Sequence, residues 1–279
     1  MSMVRTVSQR ALALLERDDA EWRMPRWLAL ALIAVPLLLA VVPLLLLPLR
    51  DAYRALLIED GPIEWLQFLC LVLLAPAYLW LARDLRRRGI TWLAAFYLLA
   101  ALGFVFIAGE EISWGQRILG WATPESIAAV NKQGETNIHN VGLVLRVFNA
   151  GSMAVALLAV VLPLGRWLIW PERARSVVAY ALTPPLALAP AFLLAFAYRA
   201  MRFVLIPEAG FTLTKYQEAT ELAFYFALLS FALLLVRALR RERTSRAARV
   251  AHPEATASMP VGFAGSNLAQ SVQTDQPEI

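Results

Sequence analysis

Cysteine, histidine, lysine and charge in general are scarce in this chain of 279 residues. The single cysteine, Cys70, excludes an intrachain disulfide and any metal site built from several thiolates. His139 and His252 are the only histidines, so the HExxH and ExxH metal motifs are missing. Charged residues make up 17% of the chain and hydrophobic residues 59%, a composition that excludes an ordinary soluble domain.

Lysine is nearly absent, because Lys132 and Lys215 are the only two, and arginine carries most of the positive charge. A net charge of +5 raises the question of nucleic-acid binding. The arginines, however, flank the hydrophobic runs, which is where membrane topology places them. We therefore expect membrane lipids, and not nucleic acid, as partners of this chain.

The hydrophobic residues occur in runs of about twenty, the length of a helix that crosses a bilayer. These runs do not alternate with polar residues, as four successive leucines at positions 44–47 show, so the pattern of a transmembrane β-barrel is excluded. We predict an all-α, polytopic transmembrane helical bundle. Its six predicted spans are residues 27–49, 62–82, 90–108, 141–164, 177–198 and 221–239.

Three other segments complete the predicted organisation. Residues 1–26 are amphipathic and predict a cytoplasmic helix on the membrane surface. Residues 109–140 form the predicted extracytoplasmic segment. The tail, residues 240–279, begins with a basic run and continues in Ala, Ser, Pro and Gln, so it is predicted to be cytoplasmic and disordered. Prolines predict kinks in the first span and a break in the fifth, at Pro184, Pro185 and Pro190.

The density of arginine and lysine predicts the orientation of the spans. Arginines are dense in residues 1–26, 83–88, 166–175 and 240–243, and they are sparser in the intervening loops. Dense segments lie on the cytoplasmic side, which places both the N and C termini in the cytoplasm. The loop between the fifth and sixth spans is the least clear, because we count Arg199, Arg202 and Lys215 in it.

This topology brings acidic residues from four segments to the same, non-cytoplasmic face. They lie at the start of the second span, at the end of the third, before the fourth and at the start of the sixth. The residues are Glu64; Glu110 and Glu111; Glu135 with His139; and Glu218 with Glu221.

Helix capping explains some of these acids better than others. Glu64 follows Gly61-Pro62 in a predicted first helical turn, where the helix dipole favours an acid, and Thr214 with Gln217 resembles a capping box ahead of Glu221. Glu110 and Glu111 instead follow an apolar run, at a helix end where the dipole disfavours an acid by about 0.3–1 kcal/mol. They therefore require a partner or a function, and Arg146 is a candidate partner of Glu110.

The residue types between Gly109 and Asn140 suggest a site for acid–base or metal chemistry. Glu110, Glu111, Glu135 and His139 are the candidate catalytic residues, since His139 is the only membrane-domain group that titrates near neutral pH when unperturbed. Glu111 and His139 are also candidate ligands of a divalent metal such as Zn, Mn or Fe. The alternative is that His139 is an interfacial histidine that is hydrogen-bonded to an acid.

A second set of residues is predicted to bind a substrate. Arg117 and Arg146 suit an anionic headgroup, Glu64 and Glu221 complete the polar wall, and Trp114 lies among them. Each has a structural alternative: the arginines extend to the interface and pair with acids, and Trp114 belongs to an interfacial aromatic belt.

The motifs EDGPIEW at residues 59–65 and GEEISWGQRILGWATPE with QGETNIHN in residues 109–140 resemble bacterial multi-pass inner-membrane proteins of unassigned function. The resemblance implies a location in the bacterial inner membrane, and it implies no activity or catalytic role.

These patterns leave two hypotheses open. The first is an enzyme that acts on a lipid or lipid-linked substrate through a carboxylate and histidine site at the periplasmic face. The second is a non-enzymatic transporter, sensor or scaffold of an envelope complex. Convergence of Glu110, Glu111, Glu135 and His139 within one closed pocket favours the enzyme. A continuous polar path to the cytoplasmic face favours transport, and scattered, solvent-facing acids favour the scaffold.

Overall fold

The computed structural model describes residues 2–58, 61–125, 142–169, 176–206 and 210–251. These residues form helices joined by short turns, and they contain no strand. Six segments are long and apolar enough to cross a membrane, which confirms the predicted all-α bundle with six spans. They are Arg26–Leu45, Arg50–Arg87, Thr91–Glu111, Leu143–Ile169, Val177–Leu205 and Phe211–Ser245.

The described helices are numbered along the chain. They are α1 (Ser2–Trp22), α2 (Arg26–Leu45), α3 (Arg50–Leu57), α4 (Pro62–Arg87), α5 (Thr91–Glu111), α6 (Gln116–Leu119), α7 (Gly142–Ile169), α8 (Val177–Leu182), α9 (Ala189–Ala200) and α10 (Phe211–Ala251).

Large apolar side chains cover the outside of the bundle. On α5, Phe96, Leu99 and Leu102 are 54%, 69% and 59% exposed, whereas Leu93 and Tyr97 on the opposite face are 0% and 1% exposed. Such apolar surfaces are unfavourable in water and favourable against lipid tails. The chain is therefore an integral, multi-pass membrane protein.

The interior is built mainly from α4, α5 and α10, which pack side by side. Leucines at i and i+3 or i+4 along α4, such as Leu71, Leu74 and Leu81, are fully buried against the neighbouring helices. The Tyr97 hydroxyl on α5 donates a 2.7 Å hydrogen bond to the carbonyl of Ala181 and so connects this core to the fifth span.

The fifth span is discontinuous, as its prolines predict. α8 ends at Leu182, a 3₁₀ turn covers Leu186–Leu188, and α9 begins at Ala189. The residues of the break, 183–188, are all buried. Non-helical backbone within a membrane protein needs internal partners, and Asp18 of α1 supplies one by accepting a 2.7 Å hydrogen bond from the Leu186 amide.

The first part of the predicted disordered tail is helical, because α10 continues to Ala251. Polar contacts hold this extension: Asp84 of α4 binds Arg88 at 2.6 Å and Arg243 at 3.2 Å, and Arg88 also binds Glu242. Alanine and arginine are good helix formers, so local propensity supports the same conformation. Residues 252–279 lie outside the described residues.

Two ends of the bundle can be distinguished by their charges. The end that carries Arg88, Arg166 and Arg243 is called the arginine end. At the opposite end α4 begins, α5 ends and α10 begins, and this is called the glutamate end. Because α5 has 21 residues and rises about 31 Å, it spans roughly the 30 Å of a bilayer hydrocarbon core. Glu111, its last residue, therefore lies near one boundary of that core.

Candidate functional site

The glutamate end contains a turn with strained backbone directly after α5. Ser113, Trp114 and Gly115 have φ values of 47°, 55° and 79°, so three successive residues adopt the left-handed region. Only glycine enters that region without a steric cost, and the two other residues are strained by roughly 1–3 kcal/mol each. The helix is therefore interrupted after α5, and Gly120, with φ of 76°, ends the short helix α6 that follows.

The turn places the side chain of Trp114 against the end of α5. Its indole Nε1 donates a 2.6 Å hydrogen bond to Oε1 of Glu110, and its ring lies edge-on to Phe106. The ring also covers Gly109, where an added Cβ atom would come within 2.9 Å of it. The expected pair of Glu110 with Arg146 is wrong, because Trp114 binds this carboxylate and Arg146 is exposed on α7 without an ion pair to a described residue.

Gly109→Ala is expected to unfold at a lower temperature than the wild-type protein, because overpacking against the Trp114 ring costs about 1–3 kcal/mol. Gly103 is the matched control, since it lies on the same helix and a Cβ atom added there would have no other atom within 4 Å. Gly103→Ala should gain up to about 1 kcal/mol from helix propensity. Thermal unfolding in detergent micelles measures both, and equal stability of the two variants would contradict the packing of Trp114 on Gly109.

Glu111 faces the interior of the bundle, where it meets acids from two other helices. It interacts electrostatically with Glu64 of α4 and with Glu218 and Glu221 of α10. The Tyr225 hydroxyl, 1% exposed, donates a 3.3 Å hydrogen bond to Oε1 of Glu111. Residues that are far apart in the sequence thus form one partly buried group, which we call the carboxylate cluster: Glu64, Glu111, Glu218 and Glu221.

Arg199 of α9 is the cation that directly binds the carboxylate cluster. Its Nη2 atom donates a 2.8 Å hydrogen bond to Oε1 of Glu221, which also accepts a 2.9 Å bond from Gln217. Arg199 is 0% exposed and Glu221 is 7% exposed, so the pair is shielded from water. The guanidinium also lies 5.5 Å from the ring centre of Phe224, within the range of a cation–π contact.

Gln67 of α4 holds the opposite side of the cluster. It is 0% exposed, and its Nε2 atom donates to the Glu218 carbonyl at 2.7 Å and to the Glu218 carboxylate at 3.3 Å. Glu64 lies nearly one turn before Gln67 on the same helix and interacts with Glu218 electrostatically. The cluster together with its partners Arg199 and Gln67 therefore connects α9, α10 and α4.

Tyrosine hydroxyls hold the first turn of α10 in place and so position its two glutamates. Tyr53 of α3 donates to the Thr212 carbonyl at 2.6 Å, and Tyr198 of α9 donates to the Leu213 carbonyl at 2.5 Å. α10 begins at Phe211, so Glu218 and Glu221 lie about 10 and 15 Å along the helix. Helix capping does not explain acids at those positions, and the proposed Thr214 capping box is wrong because Thr214 is already inside the helix.

Comparisons with known proteins identify no relative from which a role could be transferred. No family model, curated protein or solved structure matches this chain. The chemistry of the site must therefore be inferred from its own residues.

The structure brings together three of the predicted site residues and separates others from them. Glu64, Glu111 and Glu221 share the carboxylate cluster. Glu110 binds the Trp114 indole, which is itself 45% exposed at the rim. Arg146 has no described contact with the cluster. Three further predicted residues fall on parts that are not described: the side chain of Arg117, and the whole of Glu135 and His139.

The predicted metal site remains a prediction, because it depends on His139. Within the described residues, no three His, Cys, Asp or Glu side chains are arranged to hold a metal ion. The carboxylates of the cluster are thus close enough to interact electrostatically and too dispersed to form a ligand shell by themselves.

Arg199, Gln67 and Tyr225 are members of the site that sequence reasoning missed. Arg199 was predicted to lie in the loop after the fifth span, although this arginine directly follows the apolar residues AFLLAFAY. A charge within an apolar run is itself a signal of a buried functional or structural pair. No comparable signal identifies Gln67 or Tyr225, because single polar residues are common in transmembrane helices and their partners are distant in sequence.

Proposed function

We propose that the protein is an enzyme of the bacterial inner membrane that acts on a lipid or lipid-linked substrate at the periplasmic face. The observation that carries this proposal is the convergence of Glu64, Glu111, Glu218 and Glu221 in one partly buried group near a boundary of the hydrocarbon core. Buried carboxylates are costly in a membrane protein, and a functional role commonly accounts for that cost. A lipid headgroup is the substrate that this depth makes accessible.

The periplasmic location follows from the distribution of arginines. Arg88, Arg166 and Arg243 all lie at the arginine end, which the positive-inside rule assigns to the cytoplasm. Arg199 is buried against Glu221 and no longer counts as a loop charge, so the loop before α10 has less positive charge than the sequence suggested. The glutamate end is then periplasmic, and both termini are cytoplasmic.

The chemical roles proposed for the site residues follow from their environments. Glu111 is the general acid or base, since it lies at the end of α5 with Tyr225 as its hydrogen-bond donor. Glu221 is held by Arg199 and Gln217, an arrangement that suits a fixed wall of the site. His139 is the second acid–base group or, with Glu111, a ligand of a divalent metal.

A transporter is the second candidate, and the break between α8 and α9 favours it. Broken helices form ion and substrate sites in many transporters. The break lies toward the arginine end, however, where Asp18 of α1 occupies it. A sensor or scaffold is less favoured, because Glu221 and Arg199 are buried and unavailable to a soluble partner.

Glu111→Ala and His139→Ala are each expected to abolish function while membrane insertion and expression stay normal. A bacterial strain that lacks the protein, complemented with each variant, should keep the lipid composition of the deletion strain by mass spectrometry. Glu125→Ala is the matched control, because Glu125 is an exposed acid of the same polar segment, and it should restore the wild-type composition.

Full complementation by both Glu111→Ala and His139→Ala would contradict the proposed site. The enzyme and the transporter are separated by testing the purified protein in detergent micelles, which have no second compartment. Formation of a new lipid species in micelles supports the enzyme, and activity that requires sealed vesicles supports transport.

A further inference from the structure

We propose that the carboxylate cluster and Arg199 together bind a zwitterionic group, a primary ammonium next to a phosphate, of the kind found in an ethanolamine phospholipid headgroup. This inference rests on the proposed lipid-acting function and names the substrate class of the same site. It is carried by unpartnered buried donors and acceptors at the two sides of the cluster.

The first observation is the side chain of Arg199. Its Nη2 atom binds Glu221, but Nε and Nη1 have no hydrogen-bond partner although the residue is 0% exposed. Buried guanidinium donors that lack a partner are rare and require an explanation, and we infer a bound molecule as the explanation here. Arginine donors match the oxygens of phosphate, so this side of the site suits an anion.

The second observation is the side chain of Gln67, on the α4 side of the cluster. Its Nε2 atom donates to Glu218, and its Oε1 atom has no partner although the residue is 0% exposed. A carbonyl oxygen accepts hydrogen bonds, so the missing partner is a donor. Arg199 thus lacks a hydrogen-bond acceptor, whereas Gln67 lacks a hydrogen-bond donor.

The acceptors on the Gln67 side support a ligand with N–H donors. An ammonium group donates three hydrogen bonds and can reach separated acceptors, such as Gln67 Oε1 and the carboxyl oxygens of Glu218 and Glu64. A phosphate has oxygens that suit Arg199 and offers no ammonium donor to this side. The acceptors therefore favour a ligand with an ammonium over one with a phosphate alone.

One molecule that carries both a phosphate and an ammonium would satisfy both unpartnered groups. Such a ligand presents an acceptor to Arg199 on α9 and a donor to Gln67 on α4, two residues that bind neighbouring glutamates of α10. The cluster lies near the boundary of the hydrocarbon core, which is the depth of phospholipid headgroups. An ethanolamine headgroup combines these charges at that depth.

The test measures thermal unfolding of the purified full-length protein in nanodiscs that contain phosphatidylethanolamine, phosphatidylcholine or phosphatidylglycerol. Phosphatidylethanolamine should stabilise the wild-type protein most. Phosphatidylcholine has no N–H donors, and phosphatidylglycerol has no cation. Free phosphoethanolamine added to protein in micelles separates a soluble source from the lipid: stabilisation by the free headgroup shows that the acyl chains are not needed for recognition.

Arg199→Lys keeps a charge for Glu221 and removes the guanidinium donors, so it should weaken phosphoethanolamine binding at least about tenfold by calorimetry. Arg87→Lys is the matched control, because Arg87 is exposed at the arginine end of the bundle, and it should bind as the wild type does. The comparison among lipids needs only the wild-type protein, so it stands even where Arg199→Lys does not fold.

Equal or greater stabilisation by phosphatidylcholine or phosphatidylglycerol overturns the zwitterion, as does the absence of any lipid preference. These results are independent of the complementation test. Loss of function in Glu111→Ala without a preference for ethanolamine lipids would refute this inference and retain the proposed function. A preference for ethanolamine lipids together with full function of Glu111→Ala would refute the proposed function alone.

Discussion

Replacement of Arg199 by methionine is expected to lower the free energy of unfolding by about 3–5 kcal/mol, because it leaves a buried carboxylate without its counter-charge. Glu221 is 7% exposed, and after the substitution Gln217 is the one described donor that still binds it. The contact of the guanidinium with Phe224 is lost as well. Unfolding of the purified protein in mixed micelles, by stepwise addition of a denaturing detergent, measures this change.

The double variant Arg199→Met with Glu221→Met separates the cost of the lone charge from that of the packing. Replacement of both members of a buried ion pair by apolar residues is often neutral or stabilising, so the double variant should recover most of the lost stability. It should still be inactive, because the site loses both charges. A double variant that is as unstable as Arg199→Met would show that the pair is not the source of the effect.

Asp18→Ala is the second large expected effect, a loss of about 2–5 kcal/mol of stability from two buried donors that lose their acceptor. Asp18 is 0% exposed, and its carboxylate accepts a 2.9 Å bond from Trp167 Nε1 on α7 and a 2.7 Å bond from the Leu186 amide. The bond from the Leu186 amide satisfies a backbone donor within the helix break of the fifth span. The variant should also expose α1 to proteolysis, since Asp18 anchors that helix to two spans.

The neighbouring Asp19 is the matched control, with an effect of opposite sign. Burial, together with Asp18 and Glu16, raises the pKa of Asp19 to about 6 from its usual 3.8, and its Oδ1 atom has no described hydrogen-bond partner. Because the folded state binds this proton more tightly than the unfolded state, ionisation between about pH 4 and 6 costs stability. Asp19→Asn should therefore be more stable than the wild type at about pH 7.

The pH dependence separates the two aspartates further. The advantage of Asp19→Asn should disappear below about pH 4, where Asp19 is protonated in both states. Thermal unfolding of the wild type and of both variants at about pH 4 and about pH 7 checks this. A loss of stability in Asp19→Asn at neutral pH would contradict the described environment, and so would an Asp18→Ala variant of wild-type stability.

The membrane architecture could be predicted from the sequence because it depends on local length and polarity. An apolar run of about twenty residues has one stable form in a bilayer, a helix that satisfies its own backbone hydrogen bonds. The break at Pro184 and Pro185 follows equally locally, since proline lacks the amide that the helix requires. The need of Glu111 for a partner was also predictable, because an acid at the carboxyl end of an apolar run lacks a capping explanation, and the Tyr225 hydroxyl is such a partner.

The turn after α5 could not be predicted in this way. The sequence Ser113-Trp114-Gly115 contains one glycine, yet the left-handed conformation extends over all three residues. Packing of the Trp114 ring on Gly109 and its hydrogen bond to Glu110 stabilise a backbone that local preference disfavours. The same limit applies to residues 240–251, which the contacts of Asp84 and Arg88 help to hold in a helix.

The sequence by itself determined that this is an all-α membrane protein with six spans and acids concentrated at span ends, because these properties depend on runs of neighbouring residues. Only the tertiary structure decided which acids meet. It joined Glu64, Glu111, Glu218 and Glu221, it paired Glu221 with Arg199, and it assigned Glu110 to Trp114. The physical reason is that the free energy of a buried charge depends on partners within a few ångströms, and those partners lie on other helices.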